Sequence, residues 1–127
     1  MNGHTGRDPI LTALLFNECI NTGDLDGLCT LMTEDHLFID TEHDEVSGSE
    51  NLRDCWRRFF NDHPDYRNRF QLMRSTGSNV SAMGYSTCNE EELSGPALWS
   101  VVIVDDRVAE WRVWMDTPGN RKLLGMR

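Results

Sequence analysis

The clearest alternation of apolar and polar positions lies near the C-terminus, between Pro96 and Asp116. Two runs rich in Val, Ile and Trp are joined there by Asp105-Asp106, and β-branched and aromatic residues favour strands. The pattern therefore predicts a long β-hairpin. Its second arm places four apolar residues on one face: Ala109, Trp111, Val113 and Met115.

The first arm of this hairpin, Ala97 to Val104, is apolar on both faces except at Ser100. A strand of this kind is typical of the centre of a sheet that is covered on both sides. An isolated hairpin cannot bury two apolar faces. Other parts of the chain must therefore pack against it.

Three helical patterns precede the hairpin. Pro9, with Asp8 as its cap, starts a mostly apolar helix that runs to Ile20. A shorter helix is capped by Asp24 and carries the stripe Leu25, Leu28, Cys29 and Met32. A third helix follows Gly48-Ser49, ends near Pro64 and buries the stripe Leu52, Cys55, Trp56, Phe59 and Phe60.

Further strands are predicted at His36–Asp40, Tyr66–Arg74 and Val80–Cys88, and a polar loop or irregular hairpin at Thr41–Ser47. The last residues, Thr117–Arg127, are expected to turn back and close a pocket mouth. Helices followed by meandering strands indicate an α+β domain in which helices cover one face of a strongly bent sheet. Residues 1–127 form one domain, since this length supports a single core.

Composition and charge exclude several classes of protein. The net charge of −9 and the pI of about 4.7 disfavour binding to nucleic acid. No segment resembles a signal peptide or a membrane span, which predicts a cytoplasmic protein without a membrane partner. The four cysteines are far apart and lack a CxxC pair, so reduced thiols are expected rather than disulfides or zinc.

The order of these elements resembles the nuclear transport factor 2-like superfamily, and within it the SnoaL-like polyketide cyclase and ketosteroid isomerase-like branch. Four stretches carry the resemblance across nearly the whole chain: Asn21–Asp24 followed by Leu28, Leu31–Asp40, Gly48 before the third helix, and Asp106–Arg112 ending in Asp116. It implies a cone-shaped α+β barrel (cystatin-like), with three N-terminal helices packed on a bent antiparallel or mixed sheet. It also implies a pocket for a small hydrophobic molecule, no cofactor, and a homodimer formed through the outer sheet face.

In isomerase-like members of this branch a pocket carboxylate moves a proton next to a carbonyl, and the matching position is Asp40. Asp40 ends an apolar strand and shares a face with Phe38 and His36. A carboxylate among apolar walls is a stronger base when ionised. Asp40 is thus the candidate general base and His36 its candidate partner. The alternatives are a strand-end Asp that caps a turn and a structural histidine.

The same resemblance argues against steroid isomerisation, which uses a Tyr hydroxyl and a protonated Asp as hydrogen-bond donors. The matching positions are Phe16, which donates none, and Ser100, a single neutral donor. The resemblance, together with the pattern, nominates eight residues for contact with a substrate: Phe16, Phe38, Trp56, Phe59, Trp99, Ser100, Trp111 and Val113.

Two classes of function therefore stay open. One is cofactor-free isomerase, cyclase or hydrolase chemistry on a small carbonyl compound, and the other is ligand binding or dimerisation without catalysis. The cluster His36, Asp40, His43 and Asp44 contains metal-ligand types, but the acidic loop is better interpreted as solvated surface, and no metal is expected.

Overall fold

The predicted hairpin forms the middle of a six-stranded sheet in the computed structural model, which describes residues 6–126. The strands are β1 (Met32–Ile39), β2 (Glu45–Ser47), β3 (Arg67–Thr76), β4 (Asn79–Thr87), β5 (Gly95–Val104) and β6 (Arg107–Met115). Their order is β2-β1-β6-β5-β4-β3, so the sheet is open rather than a closed barrel. Only the β1–β6 pair is parallel.

Within residues 6–126, four α-helices accompany this sheet. They are α1 (Pro9–Thr22), α2 (Leu25–Thr30), α3 (Ser49–Asp62) and α4 (Pro118–Leu123). The Asp8 side chain accepts from the N–H of Ile10, and that of Asp24 from the N–H of Gly27, so both predicted caps are confirmed. Met32 was expected in the second helix but begins β1, because its backbone pairs with Val108 of β6.

The turn at Asp105-Asp106 sets the register of the central hairpin. Both residues have a left-handed backbone conformation, with φ angles of 51° and 63°. Two left-handed residues in a two-residue connection match the twist of the flanking strands. The resulting register pairs Val101 with Trp111 and thereby places both side chains on the face that the helices cover.

Irregularities in the strand register accompany the bend of the sheet, and two of them lie in β3 and β5. The register shifts between Phe70 and Leu72 in β3, and again between Val102 and Ile103 in β5. Bulges bend a strand and increase its twist. Opposite the first shift, a Cβ added to Gly84 would lie 1.9 Å from the carbonyl oxygen of Arg69. Only glycine allows β3 and β4 to approach this closely.

Helices α1, α2 and α3 pack against the concave face of the sheet. The core between them includes Phe16, Leu28, Leu52, Trp99 and Trp111, each no more than 1% exposed. The predicted α+β arrangement of three N-terminal helices on a bent mixed sheet is confirmed.

The C-terminal segment lies across the opposite, convex face. Asn120 donates to the carbonyl oxygen of Met115 at the end of β6, and Arg74 of β3 donates to that of Gly125 at 2.5 Å. Met126 is buried at 1% exposure. Arg74 is in register with Ser81 and Ser100, whose side chains point away from the helices. The segment does pack back, but the prediction that it closes the pocket mouth is wrong, because it spans the other side of the sheet.

Candidate functional site

A cavity of about 530 Å³ lies between the concave face of the sheet and α3. This volume is in the range of small-molecule sites, roughly 300–1,000 Å³. Six of the eight residues nominated for ligand contact line it: Phe38, Trp56, Phe59, Trp99, Trp111 and Val113. Trp56 packs edge-on against Phe38 and Phe59 at ring distances of 5.9 and 5.5 Å. The wall is therefore mainly apolar, and ring packing holds several of its aromatic side chains in place.

The cavity opens at one end of the sheet. β1 and β6 end there, and the loop before β5 begins there. The more exposed lining residues come from these segments, among them Glu92, Pro96 and Met115, the last 59% exposed. The opposite end, near the Asp105-Asp106 turn, is filled by buried Val101, Ile103 and Val108 and holds no lining residue.

Asp40 is one of the cavity's lining residues and also organises the loop behind it. Its Oδ1 accepts from the backbone N–H groups of Glu42 at 2.9 Å and Asp44 at 3.0 Å. This is the turn-capping arrangement that strand-end aspartates often adopt. Oδ2 has no hydrogen-bond partner among residues 6–126. One carboxylate oxygen is thus committed to the turn and the other is not.

His36 does not line the cavity. It is fully buried, its ring lies 5.6 Å from that of Phe16, and its Nδ1 donates to the carbonyl oxygen of Val108 at 2.6 Å. Burial lowers the pKa of the imidazole, against a smaller opposing effect of the Val108 hydrogen bond. The ring is therefore a neutral core group that joins β1 to β6, and its assignment as an acid-base partner of Asp40 needs correction.

Phe16 and Ser100, matched to the donors of the isomerase branch, also lie away from the cavity lining. Phe16 is fully buried and packs against Trp111 at a ring distance of 4.7 Å, so it supports the wall from behind. Ser100 is on the convex face, where it accepts from Nε1 of Trp114 at 2.8 Å. The strand register explains the second correction, because Ser100 pairs with Arg112, one residue out of phase with Trp111.

The sequence analysis missed a polar group at the β3–β4 side of the cavity. Tyr66, Asn68 and Ser86 all line it, and the last two are only 3% and 6% exposed. The Tyr66 hydroxyl lies 3.2 Å from Ser86 Oγ, which in turn lies 2.7 Å from Asn68 Oδ1. Burial raises the pKa of the Tyr66 phenol and so keeps it protonated. The sequence signal that could have revealed this group is the presence of three polar residues on the inward faces of two predicted strands.

Asn68 is in turn fixed by α1. Asn21 bonds both backbone groups of Asn68, accepting from its N–H at 2.7 Å and donating to its carbonyl oxygen at 3.0 Å. Asn17, one helical turn earlier, exchanges hydrogen bonds with Asn68 at 3.2 Å. These contacts pair the edge strand β3 with α1 and hold the polar group in place.

Within residues 6–126 no three His, Cys, Asp or Glu side chains are grouped so that they could hold a metal ion. No helix in that range is both long and apolar enough to span a bilayer. His43 instead interacts with Arg112 of β6, whose guanidinium stacks 3.8 Å from the Trp114 ring centroid. The loop after Asp40 is therefore tied to the end of β6.

The family profile of the SnoaL-like domain matches residues 13–119. The chain belongs to this family. The match includes every strand, α2, α3 and all of α1 except its first turn, so the SnoaL-like domain accounts for both the bent sheet and the cavity. A comparison with curated protein sequences finds no significant match.

Solved structures share the fold of this SnoaL-like domain. A candidate SnoaL-like polyketide cyclase from Shewanella putrefaciens has a TM-score of 0.75 at 20% identity, covering 94% of this chain and 86% of its own. An LEH-like epoxide hydrolase from M. tuberculosis has a TM-score of 0.75 at 15% identity, covering 91% and 88%. An NTF2-like protein of unknown function from Cytophaga hutchinsonii has 0.73 at 15%, covering 97% and 98%. The resemblance to the nuclear transport factor 2-like superfamily is confirmed, whereas these low identities support the fold alone.

The lowered pKa of His36 predicts a pH dependence of stability. In the unfolded chain this histidine titrates near its ordinary pKa of 6.5, above its value in the folded protein. Below about pH 6.5 the unfolded state therefore binds more protons, and the free energy of unfolding falls as the pH is lowered towards the folded-state pKa. Most carboxylates titrate lower, near about pH 4.

Urea unfolding of the wild type and of His36→Asn between about pH 7.5 and about pH 5 measures this effect. Asn retains an N–H that can reach the Val108 carbonyl oxygen but does not titrate. We expect a smaller decline of stability in the variant. Equal slopes in the two proteins would show that His36 is not the responsible group.

Proposed function

We propose that this SnoaL-like protein binds a small, largely apolar molecule in the cavity between the sheet and α3. The observation that carries the proposal is a cavity of about 530 Å³, open at one end, with mainly apolar walls that include several aromatic rings and with polar groups at two places on its edge. Apolar walls supply binding free energy, and a few placed polar groups fix orientation. Similarity to a candidate polyketide cyclase and to an epoxide hydrolase supports a small molecule as the occupant.

A cavity-filling substitution tests binding. Val113→Trp would place an indole in the cavity, whereas Val104→Trp adds the same ring at an exposed position, 46% accessible, near the Asp105 turn. The added indole would occupy space that a ligand needs, so we expect affinity for apolar probes such as camphor and 1-tetralone to fall at least about tenfold in the first variant. Titration calorimetry of both variants and the wild type provides the measurement. Undetectable binding to the wild type, or equal affinities in all three proteins, would contradict the proposal.

A second candidate function is proton transfer at the carbon next to a carbonyl, with Asp40 as general base. It is favoured by the position of Asp40 on the cavity edge and by its uncommitted Oδ2. A carboxylate oxygen must reach the proton that it removes, and only the second oxygen is available for that contact. His36 has no part in this mechanism, because it lies in the core.

The substitution Asp40→Asn distinguishes the proposed role of Asp40 as general base from its role in holding the turn. The amide oxygen of Asn can still accept from Glu42 and Asp44, so the turn is retained while the carboxylate is lost. General-base catalysis contributes about 10²–10⁴-fold, and we expect a loss of that order in deuterium uptake from D₂O at the α-carbon of bound ketones. NMR measures this exchange directly.

Glu92→Gln is the matched control, since Glu92 is another carboxylate on the cavity lining. We expect it to exchange as the wild type does. Exchange that is equal in wild type and Asp40→Asn, with ketone binding intact, would leave the protein as a binding module rather than an isomerase-like enzyme.

We also propose a homodimer formed through the convex sheet face. The C-terminal segment already covers part of that face, so the contact would use the region of β1, β6 and β5 that includes Leu37, Val102 and Glu110. Sedimentation equilibrium should then give twice the chain mass of 14.6 kDa. A single-chain mass at micromolar concentration would rule the dimer out.

A further inference from the structure

In the chain of hydrogen bonds at the β3–β4 side of the cavity, the donor and the acceptor of each bond can be assigned. The assignment starts from a backbone carbonyl oxygen. The carbonyl oxygen of Asn68 can only accept, and the Asn17 side chain lies 3.2 Å from it. The amide nitrogen of Asn17 must therefore face this oxygen. Its Oδ1 then faces the Asn68 side chain, which donates to it through Nδ2 at 3.2 Å.

This orientation determines the remaining two bonds. With its Nδ2 committed to Asn17, Asn68 presents Oδ1 to Ser86, and an amide oxygen cannot donate. Ser86 must use its single proton for this bond, which is 2.7 Å long. Its oxygen is then an acceptor towards Tyr66, so the Tyr66 hydroxyl donates to Ser86 at 3.2 Å.

Tyr66 consequently offers lone pairs, and no free proton, to a molecule in the cavity. We infer that the occupant is an apolar alcohol or phenol whose hydroxyl group donates to Tyr66, in preference to a ketone or ether of the same shape. This inference rests on the proposed function and specifies the ligand class for that cavity.

The free-energy cost of binding a ketone at Tyr66 determines how strongly the site prefers an alcohol. A ketone could bond Tyr66 only if the phenol turned its proton away from Ser86 and gave up that hydrogen bond. A typical intramolecular hydrogen bond contributes about 0.5–1.5 kcal/mol, so the expected discrimination is roughly 2- to 12-fold.

A second polar atom of the cavity wall could form a hydrogen bond with a ligand hydroxyl group. Nε1 of Trp99 is buried and has no hydrogen-bond partner within residues 6–126. An indole N–H donates only, and a hydroxyl that donates to Tyr66 keeps lone pairs that could accept from it. An ammonium group has no lone pair to offer, so a primary amine fits the wall less well.

The test compares alcohol–ketone pairs with one skeleton, borneol with camphor and 1-tetralol with 1-tetralone. Calorimetric titration gives the affinity ratio of each pair for the wild type, Ser86→Ala, Tyr66→Phe and Ser81→Ala. The change of this ratio between proteins is the informative quantity, because the different hydration of alcohol and ketone then cancels. Ser81→Ala is the matched control, since Ser81 is on the same strand but faces the convex side.

The two variants should act in different ways. Ser86→Ala removes the acceptor of the Tyr66 proton, so the phenol can donate to a ketone, and the ratio should fall because camphor and 1-tetralone bind more tightly. Tyr66→Phe removes the acceptor of the ligand proton, so the ratio should fall because the alcohols bind more weakly. Ser81→Ala should leave the ratio unchanged.

The outcomes distinguish the inference from the function on which it rests. If all four compounds bind and the ratios are the same in wild type, Ser86→Ala and Tyr66→Phe, the inference is wrong while the binding function holds. If none of them binds to the wild type, the binding function fails and the inference fails with it.

Discussion

The central hairpin has two apolar faces, and the need to cover both determines the arrangement of the molecule. The concave face of β5 and β6 is covered by the three N-terminal helices. The convex face receives the chain's own C-terminal segment, which reaches from Met115 on β6 to Arg74 on β3. Because a hairpin cannot bury two faces alone, the rest of the fold depends on these two coverings.

The cavity is a consequence of how the concave face is covered. Bulges in β3 and β5, and the close approach of strands at Gly84, bend the sheet. At the Asp105-Asp106 end the space is filled by Val and Ile side chains, while at the other end β1, β6 and the loop before β5 leave it open. Several of the aromatic rings that line the space pack against one another, which fixes their positions in the cavity wall.

Polar groups are found at two separate places on the edge of this cavity, and each is held by the fold in a different way. Asp40 is fixed by the backbone of its own loop, which is tied to β6 through His43 and Arg112. Tyr66 and Ser86 are fixed through Asn68 by Asn17 and Asn21 of α1. One place is a carboxyl group, whereas the other consists of hydroxyl and amide groups with a set direction of donation. Such a separation suits a molecule with a polar group at one end of an apolar body.

The sequence by itself determined most of the elements and a part of the cavity wall. Local signals were sufficient for the caps at Asp8 and Asp24, the hairpin around Asp105-Asp106 and the third helix, because capping, turn chemistry and periodicity act over a few residues. The same alternation correctly placed Trp111 and Val113 on the inward face. Met32 was misplaced because pairing with Val108, 76 positions away, overrides a helical stripe.

Only the tertiary structure decided which polar residues meet the cavity. His36 was expected beside Asp40, yet it is one of the core groups, because a strand's position across the sheet follows from its neighbours and not from its own residues. Ser100 was nominated although it faces away, since register with Arg112 decides its side. For Tyr66, Asn68 and Ser86 the sequence showed only polar residues on the inward faces of two predicted strands, and not that they meet. The group forms only when the loop before β3, the edge strand β3, its neighbour β4 and the distant helix α1 come together, and hydrogen bonds between residues up to 51 positions apart have no local signature.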